Sequence, residues 1–379
     1  MASKCFITVI IDKKLHNTKA ESVDLHRQNR KVATMNTASS PSSPETALIS
    51  GTASLAPLID ITAAGMEETN RIIIDRMQSE IDLIPTLAGH LIAAGGKRMR
   101  PMLTLAGALL GKAGDDVMLN SAKLAAAVEF IHSATLLHDD VIDESDMRRG
   151  NKTASAIWGN EASVLVGDFL FARAFELMVE TDQIKVLGRL ANAAARITEG
   201  EIDQMILAGN PAAPVDDYYR VIRAKTAELF AAAGESGAMV AGADTAVTAA
   251  VAAYGMALGT AFQITDDALD YAATTEGMGK SHGDDFKEGK ITLPVMLAWQ
   301  DGNADEQAFW QRCLGEGDIG DDDLDSALSL MNKHDTIARS LDIARSHAIT
   351  AGQIIADTAS GTVADALITA AAFAADRTI

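Results

Sequence analysis

The stretch FIHSATLLHDDVIDESDMRRG, Phe130 to Gly150, decides the fold. The residues leading into it place Leu124, Val128, Ile131 and Thr135 at spacings of three and four, the period of a helix with one buried face. Asn120 is the expected N-cap of this helix. Continued along it, Asp139 and Asp143 stand one turn apart on a shared face, with Asp140 beside them. His132 lies two turns before Asp139 on the same face. Carboxylates at this spacing repel each other. A hard divalent cation removes the conflict, and Mg²⁺ in particular binds through one or two carboxylates plus phosphate oxygens. A calcium loop over 139–150 is disfavoured, because the position that requires Gly holds Glu144. Alone, such an acidic string is more often a solvated helix end than a ligand site.

A second string changes that balance. FQITDDALDY, Phe262 to Tyr271, repeats the spacing through Asp266, Asp267 and Asp270, again at the end of an apolar helix. Two carboxylate walls of this kind fit a single diphosphate held between them. A third string, Asp321, Asp322 and Asp325, follows GDIG and precedes SALSLM, and it reads as surface helix capping without chemistry. Basic groups interleave with the two acidic motifs. GGKRMRP, from Gly95 to Pro101, supplies Lys97, Arg98 and Arg100 where a loop opens a helix. Arg148 and Arg149 follow the first motif, Lys225 and Thr226 sit among apolar neighbours, and Lys280 and Lys290 lie in GKSHGDDFKEGKITLP. Arg suits bidentate phosphate contacts and Lys offers a point charge.

Outward from the motifs, the pattern from Pro57 onward is helix after helix. It covers 65–82 with a stripe of Met66, Ile73, Met77 and Ile81, then 120–138, 162–180, 185–207, a helix opening near Asp216, 246–272, 291–300, 324–332 and 336–357. No strand–turn–strand series and no fixed-period repeat is present. With 48% hydrophobic and 4% aromatic residues in 379, the composition is that of an all-α chain with a sizeable core. The formal charge of −20 argues against a nucleic-acid partner. It leaves an anionic substrate possible, since bound divalent metals invert the local charge. Cys5 and Cys313 offer neither a disulfide framework nor zinc spacing, which fits a reducing compartment such as the cytoplasm. Thr245 to Thr265 is uncharged, but its Ala, Gly and Thr content reads as a buried bundle helix and not a membrane span. Residues 1 to about 55 stand apart. Residues 1–40 carry seven Lys or Arg against three acids, and a Ser-, Thr- and Pro-rich stretch follows. The segment is expected to be an extension or linker, in preference to an organelle transit peptide.

The ordered set GGKRMRP, EFIHSATLLHDDVIDESDMRRG, RAKTAELF, FQITDDALDY and GKSHGDDFKEGKITLP resembles the trans-polyprenyl diphosphate synthases, over about residue 57 to the C-terminus. The likeness is greatest to long-chain bacterial members that make ubiquinone side-chain precursors. It implies one all-α helical bundle domain, 56–379, around a central cavity, and a homodimer. Membrane contact would be peripheral at most, through the product. It implies condensation of isopentenyl diphosphate with an allylic diphosphate to a product of about C40–C50. Asp139, Asp140 and Asp143, with Asp266, Asp267 and Asp270 opposite, would hold Mg²⁺, three ions per site. Arg148, Lys225, Thr226, Gln263 and Lys280 would contact the allylic diphosphate. Lys97, Arg100, His132 and Arg149 would hold isopentenyl diphosphate. Ala134 and Thr135, small where short-chain members carry bulky aromatics, imply a long product. A shorter-chain synthase, a class I terpene cyclase and a non-catalytic subunit of a heteromeric synthase are the alternatives. The basic groups argue against the cyclase, and the presence of both acidic motifs argues against the non-catalytic subunit.

Overall fold

The structure is a computed structural model that describes residues 53–93, 96–148, 150–272 and 283–376. The expected extension therefore lies almost wholly outside the described residues, as do Arg149 and Lys280. In chain order the helices are α1 (Ala56–Arg76), α2 (Leu83–Ala93), α3 (Met99–Leu109) and α4 (Asp115–Ile142), followed by a hairpin of β1 (Met147–Arg148) and β2 (Asn151–Lys152). Next come α5 (Ala154–Trp158), α6 (Asn160–Val179), α7 (Ile184–Leu207), α8 (Val215–Ile222), a π-helical turn (Arg223–Ala227), α9 (Glu228–Val240) and α10 (Thr245–Tyr271). The chain continues through α11 (Asp284–Lys287), α12 (Leu293–Asp301), α13 (Ala304–Trp310), a second π-helical turn (Gln311–Gly315), α14 (Asp323–Lys333), α15 (Thr336–Thr358) and α16 (Thr362–Asp376). The only strands among the described residues are those of the hairpin, with Met147 opposite Lys152. The all-α expectation holds.

The uncharged segment is a core helix. α10 packs against α9 and α15, and Tyr254, Leu258 and Ile264 on it are fully buried. It is the one described helix long and apolar enough to cross a bilayer. Its Asp244 cap accepts a hydrogen bond from Val247 N–H at 2.8 Å. α4 runs beside α6 and α3, burying Leu124, Val128 and Ile131 as the periodicity requires. α3 approaches α9 so closely that a Cβ on Gly237 would stand 1.8 Å from Thr104 O, which only glycine permits. Leu103, Phe130, Phe230 and Tyr254 belong to one hydrophobic cluster, and Tyr218, Ile264, Tyr271, Phe286 and Trp310 to a second.

Several boundaries differ from the sequence reading. α4 begins at Asp115 behind Gly114, so Asn120 is internal and not the cap. Asp115 and Asp116 occupy the first turn, where the helix dipole favours acids. Asp216 likewise sits in the first turn of α8, behind Pro214. The 65–82 helix ends at Arg76, with the chain turning before α2, and Ile81 is exposed. Asp321, Asp322 and Asp325 are exposed around the start of α14, as the surface reading requires.

Candidate active site

The last turns of α4 and α10 open on one cleft of about 630 Å³. Asp139, Asp143 and Thr135 reach its wall from α4, Asp266, Asp267 and Gln263 from α10, and Lys225 and Thr226 from the π-helical turn. Arg148 reaches it from the hairpin. Arg148, Arg100 and His132 also line an adjoining pocket with Lys97, Glu129, Phe230 and Phe262. In that pocket the Arg100 guanidinium stacks 4.3 Å from the Phe230 ring centre, while its Nη1 donates to His132 Nε2 at 3.1 Å. Since Arg has no acceptor, His132 must accept there.

A polar relay fixes the second wall. Thr226 Oγ1 donates to Gln263 Oε1 at 2.8 Å, and Gln263 Nε2 donates to Asp267 Oδ1 at 2.7 Å. The buried Tyr218 hydroxyl donates to Asp267 Oδ2 at 2.7 Å. Burial lifts the Asp267 carboxyl to about 6 despite these two donors. Asp139 is pushed up to about 7, first by burial and then by Glu201 and Asp143, against the pull of Lys225 and Arg148. Asp285 is driven well above the carboxylate range by burial and by Asp267 and Asp270. Lys290 answers these charges, with its Nζ 3.1 Å from Asp143 Oδ2 and 2.6 Å from Glu288 Oε2. Burial alone would lower the Lys290 pKa, but Asp143, Asp285 and Glu288 together raise it.

Three of the expected site residues that the structure describes line neither the cleft nor the adjoining pocket. Asp140 is 2% exposed and accepts from Arg148 Nε and Nη2, both at 2.8 Å. A residue next to Asp139 is turned about 100° around the helix axis, which takes Asp140 off the cleft-facing side. Asp270 accepts from the Asp285 N–H at 3.0 Å, and Asp285, not Asp270, lines the cleft. Ala134 is fully buried, whereas Thr135 reaches the wall. The structure also adds residues: Glu201 on α7, Tyr218 and Asp285 line the cleft, as does Lys290 from the basic loop.

The donor set suits a hard divalent cation, since every candidate ligand is a carboxylate oxygen. Among the described residues no three acid, His or Cys side chains converge to hold a metal unaided. A divalent cation held by fewer side chains would take oxygens from a bound ligand or water, as Mg²⁺ commonly does.

A profile of the polyprenyl synthetase family matches residues 81–331. The octaprenyl diphosphate synthase of Haemophilus influenzae is 42% identical over 313 residues, covering 82% of this chain and 94% of that protein. The crystal structure of a polyprenyl synthase from Caulobacter crescentus CB15, complexed with calcium and isoprenyl diphosphate, is 48% identical with a TM-score of 0.82, over 86% of this chain and 98% of that one. A decaprenyl diphosphate synthase from Rhodobacter capsulatus is 46% identical with a TM-score of 0.80, over 85% and 99%. The chain belongs to the polyprenyl synthetase family.

Proposed function

We propose that this chain lengthens an allylic diphosphate with isopentenyl diphosphate to an all-trans product of about C40–C50, with Mg²⁺ as cofactor and the ubiquinone side chain as the product's destination. The observation that carries the reading is the meeting of two acidic helix ends across one cleft, with Lys225, Arg148, Arg100 and His132 between and beside them. Bound Mg²⁺ would neutralise the allylic diphosphate and stabilise it as it departs. Asp139, Asp143 and Asp266 would hold the metal, with Asp267 and Asp285 behind. Lys225, Arg148, Thr226 and Gln263 would contact the leaving diphosphate, acting where negative charge develops. Lys97, Arg100 and His132 would hold the isopentenyl diphosphate so that its double bond faces the allylic carbon. The carbon–oxygen bond breaks, the new carbon–carbon bond forms, and a proton passes to an oxygen of the released diphosphate. Thr135, Leu136, Ile197 and Phe262 on the walls would keep water from the cationic carbon. Arg149 and Lys280 join the proposal from the sequence alone.

We place two copies together through α6. Its Val164 and Leu165 near one end and Phe175 and Val179 near the other are exposed on one side of the helix, apolar groups that a second copy would cover.

The deciding experiment incubates the protein with labelled isopentenyl diphosphate, farnesyl diphosphate and Mg²⁺, then sizes the product. Polyprenyl diphosphates of eight to ten isoprene units, lost on chelation, are the expected result. Products of four units or fewer would overturn the long-chain reading, and no condensation at all would overturn the reaction itself.

A further inference from the structure

We propose that Glu201 is a positioning residue for Lys225, the second half of a clamp that fixes the ammonium over the Asp139 end of the cleft. Glu201 Oε2 lies 2.8 Å from Lys225 Nζ, and both side chains line the cleft wall. They are 16% and 22% exposed, so the pair is only partly screened by solvent. The other oxygen, Oε1, is buried without a hydrogen-bond partner. A carboxylate oxygen left unpaired costs free energy, so a purely structural role is poorly served by this arrangement.

The backbone around the pair is shaped for it. Gly200 precedes Glu201, and a Cβ there would stand 2.6 Å from Lys225 N and 2.9 Å from the Ala224 Cβ. Any side chain at Gly200 would push α7 off the Lys225 segment. That segment is the π-helical turn Arg223–Ala227, and turns of this kind break helix regularity at functional sites. Here the turn presents Lys225 and Thr226 side by side to the cleft, Thr226 entering the Gln263–Asp267 relay and Lys225 the Glu201 contact. A lysine is a flexible point charge with several rotatable bonds. Unclamped, Lys225 could fold onto Asp139 and neutralise a carboxylate needed for metal. Clamped, it stands beside Asp139 with its remaining donors free for a diphosphate oxygen.

The inference rests on the prenyl-transfer reading, and the test separates the two. Wild type, E201A, E201Q, K225A and E201A/K225A are compared for kcat and for the KM of the allylic diphosphate, with fold checked by circular dichroism. An inactive wild type would overturn the reading of the reaction; the proposal about Glu201 is judged on the variants of an active one. K225A should lose about a hundredfold or more in kcat, and E201A about tenfold, because misplacing a catalytic group by about 1 Å costs factors of this order. E201Q keeps the size and an oxygen that accepts from Lys225, so it should recover most of what E201A loses. In the K225A background, E201A should cost nothing further, because residues acting as one unit are not additive. Full additivity of the two substitutions, or an E201Q enzyme as slow as E201A, would overturn the proposal.

Discussion

Lys290 Nζ lies 3.1 Å from Asp143 Oδ2, so an ammonium from the far side of the cleft stands against the first acidic motif. The same nitrogen is 4.0 Å from Asp285 Oδ1, and the Asp285 N–H is bound by Asp270. The two acidic walls therefore meet through one lysine. Removing it in K290M leaves Asp143, Asp285 and Glu288 uncompensated. The cost should be about 1–3 kcal/mol, below that of breaking a fully buried pair because Lys290 keeps some contact with solvent. Mg²⁺ should repair part of the loss by supplying the missing charge. Thermal melts with and without millimolar Mg²⁺ would show a larger Mg²⁺-induced rise in Tm for K290M than for wild type. An equal rise in both would mean that these carboxylates are not a cation site.

Asp139 gives a pH signature. Its carboxyl is raised to about 7 in the folded chain, against about 4 when unfolded. Below about pH 4 both states hold the proton. Between about pH 4 and 7 the unfolded chain releases it while the folded chain keeps it, so metal-free stability is lost across that window as pH rises. D139N removes the titration. In chelator, the Tm of D139N should exceed that of wild type by more at pH 7.5 than at pH 4.5, while prenyl transfer falls by about a thousandfold or more. A Tm difference that does not change with pH would contradict the burial argument.

Much of this was legible in the chain, and the reasons are local. Long amphipathic segments such as α7 and α15 carry their own period and end within a residue or two of the expected limits. The acidic motifs were legible because two strings of one spacing each end an apolar helix and have basic groups interleaved with them, which the exposed string at 321–325 lacks. Glu201 gave no such signal, and Lys290 stood out only as one basic residue of a loop, with nothing in the sequence to name its partner. Their partners are 24 and 147 residues away in sequence, so the contacts arise only from tertiary packing. The contact of Asp140 with Arg148 was not legible either, because adjacency in sequence is not adjacency on a helix face. The start of α4 lies before Asn120 because Gly114 precedes two acids, Asp115 and Asp116, that suit a first turn, and Asn120 is accommodated inside the helix.

The difference between Ala134 and Thr135 bears on product length. Thr135 reaches the cleft and its hydroxyl donates to His132 O at 2.9 Å, whereas Ala134 is fully buried. A bulky side chain at Thr135 would enter the cleft, where the proposed reaction needs room for the growing tail. T135F should shift the product to fewer isoprene units with the fold intact. A134F should instead overpack the core and cost about 1–3 kcal/mol. Product chromatography beside thermal melts decides the matter: a T135F enzyme with wild-type product lengths would remove Thr135 from the wall of the tail site.

The apolar stripe on α6 predicts an assembly. Leu165 is 66% exposed, and Phe175 and Val179 farther along the same side of the helix are exposed as well. Burying such a stripe between two copies contributes roughly 25 cal/mol for each Å² of apolar surface removed from water. L165E would place a charge on the most exposed apolar residue of that face. Sedimentation should show a dimer for wild type and a monomer for L165E at micromolar concentration. A wild-type monomer would leave the stripe without the proposed occupant.

Asp140 and Asp139 are neighbours with opposite tasks, and metal dependence should separate them. Asp140 sits beneath the hairpin and accepts two bonds from Arg148, which in turn lines both the cleft and the adjoining pocket. Burial raises the Asp140 carboxyl while Arg148 opposes the rise. The geometry makes Asp140 the anchor of Arg148. D140N weakens that anchor without emptying the space, so kcat should fall about tenfold through a displaced guanidinium. The Mg²⁺ concentration for half-maximal rate should stay where it is in wild type. D143N, which alters a residue facing the cleft, should raise that concentration severalfold, since Mg²⁺ at such sites depends on one or two carboxylates. In an R148A background D140N should add almost nothing, because its effect passes through the arginine already removed. Were D140N to raise the Mg²⁺ requirement as far as D143N does, Asp140 would have to be a metal ligand, and the hairpin contact a feature of the metal-free protein alone.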